Sequence, residues 1–485
     1  MNSVLATINQ KLIPAMSLEN ADGRWSSTVR SSWLLRLWNA FVERCSSIFA
    51  GAATAGTWLQ RISYFLVVLL FLILAAPQFA NDKEGLAVLV VVACILRLAG
   101  TLLNGKERYK PSAIDGIVLL FFAMNVIASF GSHYPKESLF GLAKLFVYVL
   151  AYFLFTSSFQ QAPKTRITVT LLALVAGALV VSLYGLYQYK IGVAPLATWE
   201  DPTIEDKATR VFSTLGNPNL LAGYLVPVIP ISFALACMSA FARGLWRWFC
   251  VPLFGICGVI TIATFLTGSR GAYIGLIFVA LIVAQAVFSW LWRRQPKARL
   301  PLILALILTP VAAVAVLHFA LPSFEHRFLS IFAGSEHSSN AYRMNVWRSS
   351  AQMFKDNWWL GVGTGNKAFR LAYGLYMRSS FDALGTYCVP LEVAVETGVV
   401  GLLIFLWLLV SCLARAHSRF WSTQDAMIRW LCIAGAGAIM GMMAHGMVDT
   451  VFYRPQVQFI FWLVISLLVA LPAAGDISAS DKSGS

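Results

Sequence analysis

Residues 62–80, ISYFLVVLLFLILAAPQFA, and residues 85–103, GLAVLVVVACILRLAGTLL, decide the fold class. A bilayer's hydrocarbon core is about 30 Å thick, and a helix rising 1.5 Å per residue crosses it with roughly 20 apolar residues. Each run has that length and neither has the alternation of a barrel strand. Outward from this pair, similar runs occupy 114–131, 139–158, 167–189, 219–241, 248–268, 271–290, 301–321, 390–413, 427–447 and 455–471. Backbone groups in lipid must be satisfied within the segment, so these runs are helices. The expectation is an all-α, polytopic transmembrane bundle of about twelve spans.

Composition agrees. The 485 residues are 58% hydrophobic and 12% charged, against about 25% charged in a soluble domain. The net charge of +15 would suggest nucleic acid in a soluble chain. Here the basic residues sit in short loops, among them Lys106, Arg108, Arg243, Arg247, Arg293, Arg294, Arg415 and Arg419. They read as topology signals, with no nucleic-acid partner. The positive-inside rule then puts both termini in the cytoplasm. Six of the eight cysteines lie in or at the ends of apolar runs, and no metal-ligand spacing appears. No metal, cofactor or disulfide framework is expected.

The organisation follows. Residues 1–61 form a cytoplasmic tail, 62–471 the membrane domain and 472–485 a disordered cytoplasmic tail. Within the first tail, Leu34, Leu37, Trp38, Phe41, Cys45, Ile48 and Phe49 recur at helical spacing. That pattern fits either an interfacial amphipathic helix or a surface helix packed on the bundle. Two long connections, 190–218 and 322–389, fall on the outer side. In the second, 342–355 reads as a helix with Met344, Trp347, Ala351 and Phe354 on one face. GVGTGN at 361–366 follows it as a glycine-rich turn. It lacks the Lys-Ser/Thr of a phosphate loop.

Arginine in a membrane costs about 2.5–3.5 kcal/mol on insertion scales, so arginines at outer span ends need a reason. Arg210 (RVFSTLGNPNLLAGYL), Arg270 (LTGSRGAYIG), Arg343 (YRMNVW) and Arg454 (DTVFYRP) all map there. Together they would form an anion site, since the planar guanidinium donates two hydrogen bonds at once to phosphate or bicarbonate. Singly, each would anchor at headgroup level or pair with an acid. His445 and Asp449 are spaced four apart, as one helix face requires. They read either as a proton relay or as a structural pair, with Arg454 a possible partner for the carboxylate. Glu392 and Glu396 have the same spacing. His445, Asp449 and Glu392 are the candidate catalytic groups.

RVFSTLGNPNLLAGYL, LTGSRGAYIG, RMNVWRSSAQMFKDNWWLGVGTGN and LEVAVETGVVG, in that order across roughly 205–410, resemble the O-antigen ligase and polymerase superfamily. The resemblance implies a helical bundle with a large periplasmic loop between spans nine and ten. It also implies transfer of a glycan from undecaprenyl pyrophosphate at the outer face, with Arg210 and Arg270 holding the pyrophosphate. Ligases carry a histidine before the tenth span to activate the acceptor. The matching position is Tyr387, a poor base with a normal pKa near 10. GTYCVPLEVAVETG and AHGMVDTVFYRPQVQ resemble the cyanobacterial IctB branch, named for bicarbonate transport. Three functions therefore stand open: a bicarbonate transporter or accessory protein, a polyprenyl-linked glycosyltransferase, and a catalytically silent membrane partner.

Overall fold

The computed structural model describes residues 11–78, 84–105, 109–194, 209–301, 303–304, 308, 338–379 and 381–472. The expected ninth run, the start of the 322–389 connection and the 473–485 tail lie almost wholly outside these residues. Among the described residues every regular element is a helix, and ten are long and apolar enough to cross a membrane. The chain is thus an all-α, multi-pass membrane protein.

Two helices precede the bundle, α1 (Glu19–Ser31) and α2 (Trp33–Ile48). The bundle begins with α3 (Ala53–Ile73), α4 (Glu84–Asn104), α5 (Ala113–Phe130), α6 (Pro135–Gln161) and α7 (Pro163–Ile191). It continues with α8 (Pro218–Ala240), α9 (Cys250–Leu266) and α10 (Arg270–Arg294). The 322–389 connection contributes α11 (Ser338–Asp356) and α12 (Asn366–Tyr373). The last three are α13 (Val389–Ser422), α14 (Ala426–Gly446) and α15 (Pro455–Ala470).

Burial sorts these helices into a core and a lipid-facing shell. In α8, 94% of the most apolar window is buried, against 11% in α10. α15 is a 16-residue helix, about 24 Å long, and is buried along almost its whole length. Its shortness is accommodated because α6, α13 and α14 surround it. α3 starts at Ala53, earlier than hydropathy predicted. Small residues there lower the hydropathy and permit close approach: a Cβ on Gly56 would stand 2.9 Å from the Gly100 carbonyl oxygen of α4.

α13 breaks at Gly398, where φ is +68°. A break frees backbone groups that lipid cannot satisfy, and the glycine-rich stretch takes them up. Val362 N donates to Val395 O at 2.8 Å, Gly363 N to Glu396 O at 3.1 Å, and Val399 N to Trp358 O at 2.8 Å. Thr364 Oγ1 donates to Asn125 Oδ1 of α5 at 2.9 Å, and Ser132 Oγ to Val362 O at 2.5 Å. The GVGTGN turn is therefore a plug seated in a helix break.

At the opposite end of α13 the N-terminal segment is clasped. Arg415 is wholly buried and donates to Ser17 O (3.2 Å), Ser112 Oγ (2.8 Å) and both oxygens of Asp22 (3.0 Å each). Arg419 Nε donates to Glu19 Oε1 at 2.8 Å, and its Nη1 to Leu468 O and Leu471 O. These arginines, expected to be loop charges, are structural. On α2, Trp33, Leu37, Phe41 and Ile48 remain exposed, so much of its apolar face is not packed on the bundle.

Candidate functional site

Two of the quoted motifs are helix starts. In LGNPN, Gly216 takes φ +68°, Asn217 Oδ1 accepts from Asn219 N (2.8 Å) and Leu220 N (3.4 Å), and Pro218 opens α8. In TGSRG, Gly268 takes φ +61°, Ser269 Oγ accepts from Ala272 N (3.4 Å), and Arg270 opens α10. Each is a left-handed glycine followed by an N-cap, which aims backbone N–H groups and a partial positive charge outward.

Arg210 ties the two starts together. Its Nε donates to Thr267 O at 3.0 Å and its Nη2 to Asn219 Oδ1 at 3.1 Å. Arg270 Nη1 donates to Asn340 Oδ1 of α11 at 2.9 Å. Nearly one turn further along α11, Arg343 Nη2 lies 3.3 Å from Asp449 Oδ2. Asp449 Oδ1 accepts from Thr450 N at 2.8 Å, and Thr450 Oγ1 donates to Glu392 Oε2 at 2.8 Å. These contacts, continued through the backbone from Thr267 to Arg270 and along α11 from Asn340 to Arg343, make a path from Arg210 by way of Arg270 and Arg343 to Asp449 and Glu392. Asn340 and Thr450 are its joints, and Asn219 ties Arg210 to the start of α8. Asn219 and Thr450 lay inside quoted motifs, though neither was singled out, whereas Asn340 lay outside them. Arg454, in the turn before α15, places its guanidinium over the Tyr453 ring at 5.1 Å.

The His445–Asp449 expectation needs correcting. α14 ends at Gly446, so the two do not share a helix face. Asp449 turns instead to Arg343, which also takes the partner role suggested for Arg454. His445 is fully buried against α10: a Cβ on Gly271 would lie 2.5 Å from its Cδ2. Neither ring nitrogen has a hydrogen-bond partner among the described residues.

Tyr387 lies beside this path. Its carbonyl accepts from Trp347 Nε1 at 3.3 Å, and its ring meets Tyr342 edge-on at 5.7 Å. Its φ of +54° is a left-handed conformation uncommon for a bulky residue. Burial first, then Tyr342 and Asp449, raise the phenol pKa further above its ordinary value, so its oxygen stays protonated. Gly385 packs its backbone closely on the next pair: a Cβ there would stand 2.7 Å from Thr450 Oγ1 and 3.6 Å from Glu392 Oε2. No group of His, Cys, Asp or Glu among the described residues is arranged to hold a metal.

The helix expected at 342–355 differs from its expected face. Val346, Ser349, Ser350 and Met353 are buried, while Met344, Trp347, Ala351 and Phe354 are only partly so. α11 thus turns serines as well as apolar groups inward.

Residues 253–406 match the family model described as O-antigen ligase. The match covers about a third of the chain, from α9 into the second half of the broken α13. It includes Arg270, Arg343, Tyr387 and Glu392, and leaves out Arg210, His445, Asp449 and Arg454. No curated protein matches the chain, so the IctB resemblance rests on its motifs alone. The chain is a multi-pass membrane protein with an O-antigen ligase-like domain.

Proposed function

We propose that this protein transfers a glycan from a polyprenyl pyrophosphate to an acceptor hydroxyl, at the periplasmic face of a bacterial inner membrane. The observation that carries the reading is the contact path from Arg210 through Arg270 and Arg343 to Asp449 and Glu392. A pyrophosphate diester carries two negative charges and gains more on leaving. Arg210, Arg270 and the N-termini of α8 and α10 supply the complementary field.

In the reaction, the acceptor oxygen forms a bond to the anomeric carbon. The bond from that carbon to the pyrophosphate oxygen breaks, and its electron pair leaves with the lipid pyrophosphate. The acceptor proton needs a base. Tyr387 is unsuited because its phenol stays protonated. Asp449 is engaged by Arg343 and His445 is enclosed against Gly271. Glu392 is the best placed: Thr450 donates to one of its oxygens, and the side chain is only partly buried. Asp449 then positions Arg343 and, through Thr450, Glu392.

The test is transfer of a polyprenyl-pyrophosphate-linked glycan by purified protein. Arg270→Ala is expected to lower kcat by about a hundredfold or more, as loss of one charge-stabilising donor does, while the protein stays folded. Unchanged transfer in the variant would refute the assignment. The same arginines suit bicarbonate, so saturable uptake of labelled bicarbonate into proteoliposomes, lost in Arg270→Ala and with no glycan transfer, would replace this reading.

A further inference from the structure

α10 and α13 both pack on α14, and between them they leave a groove of about 200 Å³. Its walls are mostly apolar, with Ile282, Leu413, Phe420 and Met440 among them; Gln285 and His417 are the polar members, and Trp421 lies at one end. This is the Arg415 half of the bundle, far from the arginine path described above.

The end marked by Trp421 is crowded with cations. Arg293 places its guanidinium 4.0 Å from the centre of the Trp421 ring. Arg294 and Arg429 both lie over Trp290, each at 5.6 Å. Among the described residues no carboxylate pairs with Arg293 or Arg294. The nearby Asp425 is bound to Lys164 at 2.8 Å. Arg429 is held by the carbonyls of Phe420 and Thr423 at the end of α13. Trp290 Nε1 is buried with no hydrogen-bond partner among the described residues. Like charges whose nearby acid is already bound to Lys164 repel one another, and a mostly apolar slot running from such a cluster along the bundle suits one occupant. Basic pockets between spans take anionic lipid headgroups, with the chains lying in the adjoining groove.

We infer that this groove is a binding site for an anionic phospholipid, whose phosphate sits among Arg293, Arg294 and the Trp290 indole and whose acyl chain lies between α10 and α13. The site is independent of the glycan-transfer reading. Arg293 and Arg294 supply free charge, and Arg429 is a structural wall. Each basic residue near an anionic surface contributes about fivefold in affinity, so removing two weakens binding by about tenfold or more.

The test uses the full chain purified in neutral detergent, with phosphatidylglycerol as the probe and native mass spectrometry to count retained lipids. The wild type is expected to retain phosphatidylglycerol in preference to phosphatidylcholine. Arg293→Gln/Arg294→Gln is expected to lose that preference by about tenfold or more, and Lys164→Gln to keep it. A second variant, Ala436→Phe, leaves the arginines intact and fills the groove; it is expected to lose retention as well. Retention that survives either change would overturn the inference. So would equal retention of phosphatidylcholine, or competition by millimolar inorganic phosphate alone, which would mark a phosphate site without a chain. If a segment of this chain outside the described residues fills the groove, no lipid is retained and the inference fails.

Discussion

Asp22→Ala is expected to destabilise the protein more than Arg415→Met, although both remove the same ion pair. Arg415 is fully buried, whereas the Asp22 side chain is 28% exposed. Without Asp22 the guanidinium stays buried, with only Ser17 O and Ser112 Oγ left to accept from it. An uncompensated buried charge costs about 3–5 kcal/mol, and these two partners bring the expected loss to about 3 kcal/mol. Without Arg415 the carboxylate can hydrate and still accepts from Ser112 Oγ (3.0 Å) and Ala113 N (2.8 Å). That loss is about 1 kcal/mol. Because most of the Asp22→Ala loss comes from the stranded guanidinium, which Arg415→Met removes, the double variant Asp22→Leu/Arg415→Met should cost less than the two losses added. The assay is reversible unfolding in mixed micelles, followed by tryptophan fluorescence. A larger loss from Arg415→Met, or strictly additive losses, would refute the reasoning.

Other outcomes follow from the same geometry. Gly398→Ala should destabilise the fold by about 3 kcal/mol or more, because φ is +68° and the new methyl would lie 2.1 Å from the Trp359 carbonyl oxygen; thermal unfolding would read it. Tyr387→Phe should keep glycan transfer within about threefold, since a phenol held protonated takes no proton at neutral pH; a hundredfold loss would make the hydroxyl essential. Glu392→Gln should cut kcat by about a hundredfold with little change in KM, the mark of a lost base rather than a lost binding group. Asp425 caps α14 and pairs with Lys164; burial opposes its charge, but Lys164 and the backbone N–H groups of Met427 and Ile428 prevail and hold its pKa low. A depressed folded pKa means its stabilisation is present above the unfolded pKa of about 3.9 and is lost as pH falls through the folded value. Asp425→Asn should therefore cost about 1 kcal/mol at pH 7 and almost nothing at pH 2, in unfolding titrations at both pH values.

The helices were legible because lipid permits few alternatives: runs of sufficient length near Ile62, Leu86 and Ile114 had to be helices. The two glycine–N-cap starts at Asn217 and Ser269 were legible as motifs with arginines, though not as joined helix ends. What stayed hidden depends on distant partners. Arg415 looks like any loop arginine until Asp22, 393 positions away, is folded against it. The end of α14 before Asp449 carries no proline, and the spacing from His445 suggested a helix face. Arg343 and the Thr450 N–H draw the carboxylate elsewhere. The buried face of α11 was misread because Ser349 and Ser350 go inward, and a hydropathy pattern does not mark serines that permit close approach.

The plug in the break of α13 has a consequence for how this protein can be re-engineered or can diverge. The turns of α13 that carry Glu392 are held in register by Val362 and Gly363, on the far side of α12 in the sequence, as well as by the helix below Gly398. Exchanging the connection for one from another protein would therefore reset the height of Glu392 against Thr450, unless residues 395–401 travelled with it. The unit of inheritance is the pair, loop and broken helix, and neither half can be swapped alone.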